Sequence, residues 1–264
     1  MSTASPAAQA QFAPTSRTAA PGIKARNVAF LISNLMFIFQ GLVGYVGVLL
    51  GWLPQNPTDD ISFALVVLAY HGCFFAFWDA PGETRTTEDR FRLYINWWLI
   101  TAASAVLFWE LPWYYLEDNL LRLDRPLDSF HEDLRPLWIF WGYGIADNRF
   151  LNGDVTVLSI EAMSIHTGLV LVPTYFYMQR GKVWAFWVGA LGMAGVAYTT
   201  VVYVIADWYI DWVHISDHWY DFWVKFILTQ TPYVFYGGFA SVCCLYVANQ
   251  LAIRRHLELE ERAL

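Results

Sequence analysis

Charge is what this chain has least of. Asp, Glu, Lys and Arg make up 15% of its 264 residues, where a soluble domain carries about a quarter. So little charge cannot cover a globule in water. The basic residues are also outnumbered, 16 to 23, for a net charge of −7, and they form no stripe, which excludes a nucleic-acid partner. Cysteine is nearly absent. Cys73, Cys243 and Cys244 all lie inside apolar runs, so they suit neither a disulfide framework nor a spaced metal site and read as packing residues. The sequence has no HExxH, no histidine cluster, no phosphate-cradling glycine loop and no GxSxG elbow, so neither a metal nor a cofactor is expected.

What fills the chain instead is apolar and aromatic. Hydrophobic residues make up 57% and aromatics 18%, with 14 Trp. Runs long enough to cross a bilayer, which takes about 20 residues, lie near 28–52, 61–79, 93–116, 155–178, 183–206 and 223–252. The fold class expected is an all-α polytopic membrane protein, a bundle of about six transmembrane helices. Glu110 and Pro112 interrupt the third run. The division expected is a disordered tail over 1–27, two N-terminal spans over 28–92, a four-span domain over 93–252 and a C-terminal tail over 253–264. Arg17, Lys24 and Arg26, then Arg85, Arg90 and Arg92, then Arg180 and Lys182, then Arg254 and Arg255 occupy alternate connections, and the others are acidic. Six spans place every basic segment on one side, so both termini are expected in the cytoplasm. Arg254 and Glu258 have the spacing of an i,i+4 pair on an extended last helix.

Ionisable groups inside hydrocarbon are costly and mark sites by default. Glu110 comes late in the third run and Glu161 early in the fourth, with no Lys or Arg at comparable depth. Ser164 lies one turn beyond Glu161. Thr200, Tyr203 and Asp207 form a stripe on the fifth run, as do Gln230, Tyr233 and Gly237 on the sixth, and Asp207 is expected at the interface. Such stripes must face one another, because lipid cannot satisfy them. Taken singly, Ser164, Thr200, Tyr203 and Gln230 read as interhelical glue, and His71 and His166 as packing residues. The two glutamates read as functional. A carboxyl in a dehydrated site can stay protonated near neutral pH and act as a proton donor. Two across one cavity divide the work, one giving a proton and one taking it, while aromatic faces shelter a transient cation. That set suits alkene chemistry through carbocations.

The segment 146–162, ADNRFLNGDVTVLSIEA, resembles the signature of the emopamil-binding protein family, the EXPERA-domain proteins that include the sterol Δ8–Δ7 isomerase. Asp147, Arg149, Phe150, Gly153, Asp154 and Glu161 fit at that family's spacing. Upstream, ELPWYYLEDNLL is similar to the isomerase's glutamate with its aromatic run. The likeness covers roughly 93–250, so the last four spans are EXPERA-like. It implies a helical bundle with a lipid-facing entrance and a cavity for a sterol-sized hydrophobe. Glu110 and Glu161 would be its catalytic carboxylates and Ser164 a hydroxyl beside the second. Gln230 and Tyr233 would take the places of a cavity amide and tryptophan, and Asp147 and Arg149 would brace a loop over the mouth. Asp154 reads as a helix N-cap. Val106 stands where the isomerase has a histidine one turn before its first glutamate, which leaves His71 or His166 as stand-ins from another helix.

The leading expectation is therefore an intramembrane isomerase that shifts a ring double bond in a sterol or terpenoid, with Trp113, Trp141 and Tyr233 sheltering the cation. A membrane terpene cyclase and a sterol-binding or chaperone-like protein without turnover stay open beside it. The partners expected are the bilayer and a hydrophobic polycyclic small molecule. Oligomeric state is open, a homodimer included.

Overall fold

The computed structural model describes residues 24–111, 113–115 and 132–263. The interruption at Pro112 and residues 1–23 of the expected tail lie outside them. Among the described residues the chain is helical throughout, with one isolated β-bridge between Asp147 and Ile215. Five helices are long and apolar enough to cross a bilayer: α1 (Ala25–Leu49), α2 (Gln55–Phe77), α6 (Val155–Gln179), α7 (Val183–Trp208) and α8 (Asp221–Ala263). Their outer faces carry large apolar side chains, among them Leu42, Leu191 (73% exposed) and Phe235 (67% exposed), as suits surfaces that lipid covers.

The expected third span is α3 (Thr87–Ala105), continued by a π turn over Val106–Glu110. It is less apolar than the five because protein, not lipid, surrounds much of it. Tyr94, Ile95, Trp97, Trp98, Leu99, Thr101 and Ala105 are all buried. The helix starts on a capping box, in which Thr86 Oγ1 accepts from the Asp89 backbone N–H and Asp89 Oδ2 accepts from that of Thr86, both at 3.1 Å.

The stretch expected as an acid-rich connection contains two short helices in its described part, α4 (Trp138–Ala146) and α5 (Arg149–Asn152). In α4, every residue but Ile145 is buried. At nine residues it is about 13 Å long, less than half a bilayer core. After α5 the chain turns through Gly153, whose φ of 64° is left-handed and favours glycine. Asp154 then caps α6, its Oδ1 accepting from Thr156 and Val157 N–H at 2.9 and 3.1 Å, as the sequence suggested.

The bundle has two cores. One gathers Tyr70, Trp98, Met178, Met193 and Val247, the other Trp138, Phe150, Tyr203 and Phe226. Where α6 and α7 meet α8, Gly189 allows close approach, since a Cβ there would lie 2.0 Å from Met178 Cε. The three cysteines are buried and free.

At one end of the bundle the basic segments come together through ion pairs. Lys24 and Arg26 pair with Glu83, and Arg85 and Arg90 with Asp79. Arg254 grips Glu88 through two bonds of 2.6 and 2.7 Å, and Arg255 reaches the Gly181 carbonyl at 3.3 Å. Arg254 thus reaches across to α3 rather than along its own helix to Glu258. At the other end Lys225 sits among Asp59, Asp60 and Asp221 at 3.1, 2.8 and 3.0 Å.

Candidate functional site

At the seam of the two cores lies a cavity enclosing about 870 Å³ of space free of atoms, its open mouth counted. Helical spacing explains which side chains reach it. Phe63, Val66 and Tyr70 come from α2, Ile160, Glu161 and Ser164 from α6, and Val196, Thr199, Thr200 and Tyr203 from α7. Phe63, Val66 and Tyr70 step by three or four residues along one helix face, and so do Glu161 with Ser164 and Val196, Thr200 and Tyr203, with Ile160 and Thr199 beside them. Thr229, Gln230 and Tyr233 come from α8, Ala105, Glu110 and Trp113 from α3 and beyond, and Phe140, Tyr143 and Phe150 from the short helices.

Glu110 and Glu161 line the same cavity, and among the described residues no Lys, Arg or His lines it. Their surroundings differ. Glu110 Oε2 accepts from Ser164 Oγ at 2.7 Å, and Glu110 Oε1 accepts from the Tyr233 hydroxyl at 3.3 Å. With its one hydrogen given to Glu110, Tyr233 accepts in turn from Tyr70, 2.9 Å away. Glu161 Oε2 is buried and has no hydrogen-bond partner. Ser164 therefore shares a helix with Glu161 but donates across the cavity to Glu110. Both ends of the Tyr233–Glu110 bond lie in π turns, Val106–Glu110 and Tyr233–Gly237, a wide turn that often occurs at functional sites.

Gln230 Nε2 donates to the Tyr143 hydroxyl at 2.7 Å. The Tyr203 hydroxyl donates to Asp147 Oδ2, so this cavity residue is tied to the loop. Asp147 and Arg149 form the expected pair, with Nε to Oδ1 at 2.9 Å and Nη2 to Oδ2 at 2.7 Å. The same guanidinium reaches Asp207 and lies over the Tyr203 ring, 4.3 Å from its centroid. Asp207 also meets His214 at 3.0 Å. Asp147 and Asp207 are both fully buried. Asp207 is thus packed inside the protein at the end of α7, and its burial is made tolerable by Arg149.

Of the residues singled out from the sequence, Glu110, Glu161, Ser164, Gln230, Tyr233, Trp113 and Tyr203 meet at the cavity. Trp141 does not. On α4, Phe140 and Tyr143 share the cavity face, and Trp141, one step round the helix, is buried in the core behind it. The histidines are elsewhere too: His71 Nδ1 bonds its own helix at Val67 O (2.8 Å) and His166 Nδ1 at Ala162 O (2.6 Å). Val106 lies outside this cavity. Tyr70, Tyr143, Phe63 and Phe140 were not anticipated. The signal for Tyr143 was present: WIFWGYGIA (138–146) is a charge-free run between Pro136 and Asp147.

No family model, curated protein or solved structure matches this chain. The site must therefore be read from its own geometry. Among the described residues, His, Cys, Asp and Glu form no group of three or more that could hold a metal ion. The arrangement can take up an uncharged hydrophobe, present it with two carboxyl groups and surround it with aromatic faces.

Proposed function

We propose that the chain is an intramembrane isomerase that shifts a ring double bond in a sterol or related polycyclic isoprenoid by protonation and deprotonation. The observation that carries the reading is the pairing of Glu110 and Glu161 in one cavity, where no cationic side chain stands among the described lining residues. Glu161, with an oxygen free of partners, delivers its proton to one alkene carbon, and the positive charge develops on the other. Trp113, Tyr143 and Tyr233 offer their faces to that charge. Glu110, held by Ser164 and Tyr233, removes a proton from the neighbouring carbon, and the double bond re-forms one position along. Glu110 then releases that proton to solvent and Glu161 takes one up from it, which resets the site.

The likeness of 146–162 to the EXPERA signature also supports this reading, together with the Asp147–Arg149 pair that braces the cavity wall through Tyr203. The ion pairs that gather the basic segments at one end support placing both termini on the cytoplasmic face.

One experiment tests the proposal. The purified full chain is incubated with unsaturated sterols in heavy water, and deuterium in recovered sterol is read by mass spectrometry. Turnover incorporates deuterium, and Glu161→Gln lowers the rate by about 10²–10⁴, the range for a general acid. No deuterium in any sterol that binds would sink the proposal. It would leave the second reading, a sterol-binding protein without turnover, which the absence of a histidine among the described lining residues favours.

A further inference from the structure

A second cavity adjoins the first. It encloses about 670 Å³ of space free of atoms, its open mouth counted, and lies between α3 and α6 with Val196 of α7 behind. The two cavities share Ser164, Val196 and Tyr233 as a common wall.

The polar atoms of that wall all face one way. Ser164 Oγ is turned to Glu110, and the Tyr233 hydroxyl is turned to Glu110 and Tyr70. The second cavity therefore receives mainly their carbon surfaces. Its other walls are apolar apart from the Tyr175 hydroxyl, with Ala102, Ala103 and Gly168 providing width and Ile100, Val172 and Phe176 standing at an exposed edge. Among the described residues no charged side chain lines it. A hydroxyl, carboxylate or headgroup would go unsatisfied there, at a cost of several kcal/mol for a charge; a hydrocarbon chain would not. Among the described residues neither lining offers a Lys, Arg or His to pair with a phosphate or carboxylate.

We infer that the second cavity is a subsite for the aliphatic tail of the molecule whose ring system occupies the first, so that the substrate is an uncharged polycycle bearing a flexible hydrocarbon tail. The inference rests on the reading of the first cavity as a site for a polycyclic hydrophobe. A tail arriving from lipid leaves surroundings as apolar as the subsite, so seating it contributes little affinity. The subsite acts by admission: it gives the tail somewhere to lie while the rings meet the carboxyl groups.

Steric filling tests this. Ala103→Leu adds bulk to the wall without touching the first cavity. Binding of cholesterol, and of androst-5-en-3β-ol, which has the same rings without the tail, is measured on the full chain in phosphatidylcholine nanodiscs. The native chain should bind both. Ala103→Leu should weaken cholesterol by about tenfold or more, the effect of overpacking, and leave the tail-less probe within about twofold, which also reports that the variant is folded. Ile100→Trp, at the exposed edge, gives the same contrast should Ala103→Leu not fold. If both probes weaken alike, or cholesterol is unaffected because a lipid chain fills the space, the subsite is refuted while the first cavity stands. If the native chain binds neither probe, the reading of the first cavity falls and takes the subsite with it.

Discussion

The two glutamates are the same residue type in the same cavity, and hydrogen bonding is what separates their roles. Ser164 and Tyr233 each donate to a different oxygen of Glu110, so removing one leaves the other oxygen held. Ser164→Ala and Tyr233→Phe should each slow deuterium exchange by about tenfold, the worth of one charge-assisted bond. The double variant should depart from the product of the two, because both act through one carboxyl. At the loop, Arg149 has two fully buried carboxylates as partners, Asp147 and Asp207. Arg149→Met strands both charges and should cost about 3–5 kcal/mol, the price of an uncompensated buried charge, read as a lower thermal midpoint in detergent. The glutamates could be found from the sequence because a carboxyl in an apolar run stands out. Tyr70 could not, because a tyrosine among aromatics looks like packing until its hydroxyl is seen to have a partner.

Hydropathy located most of the long helices to within a few residues, since a span must be apolar over a fixed length. It read α3 less well and missed α4. The first is surrounded by protein, which relaxes the demand for apolar residues; the second is too short to register as a span. The π turns at Glu110 and Tyr233 leave no mark in composition. The connection between α2 and α3 carries a prediction of its own. Arg26 donates to Glu83, with Lys24 beside it, and the bonds from the Arg26 guanidinium hold this carboxyl well below its ordinary range. A carboxyl depressed in the folded state contributes stability that is full above its unfolded value of about 4.3 and fades as pH falls through the folded one. Glu83→Gln should therefore lower stability at neutral pH by about 1 kcal/mol. The gap should narrow in acid below about pH 4, which paired thermal melts across pH would show.

Across the whole molecule, charge is sorted by end. Lys24, Arg26, Arg85, Arg90, Arg254 and Arg255 gather at one end, with Lys225 among carboxylates at the other. Single cysteines at Arg180 and Asp217, introduced in a chain whose three native cysteines are replaced, should react with a membrane-impermeant thiol reagent from opposite sides. The Arg180 position should share the side on which a C-terminal tag is reached. Labelling of both positions from one side would overturn the arrangement.

A further consequence comes from the length of α4. Phe140, Tyr143 and Phe150 of the cavity's aromatic wall stand on a nine-residue helix and the four-residue helix after it, and nothing so short can be laid across a bilayer as an independent span. It also ends with Asp147 bridged to Ile215 and its Ala146 carbonyl accepting from Ser216 N–H at 2.9 Å, contacts that require α7 and the segment after it to be in place. The cavity therefore closes only when α7 and the segment after it are in place, and a chain stopped before α7 would carry long apolar helices yet lack that wall.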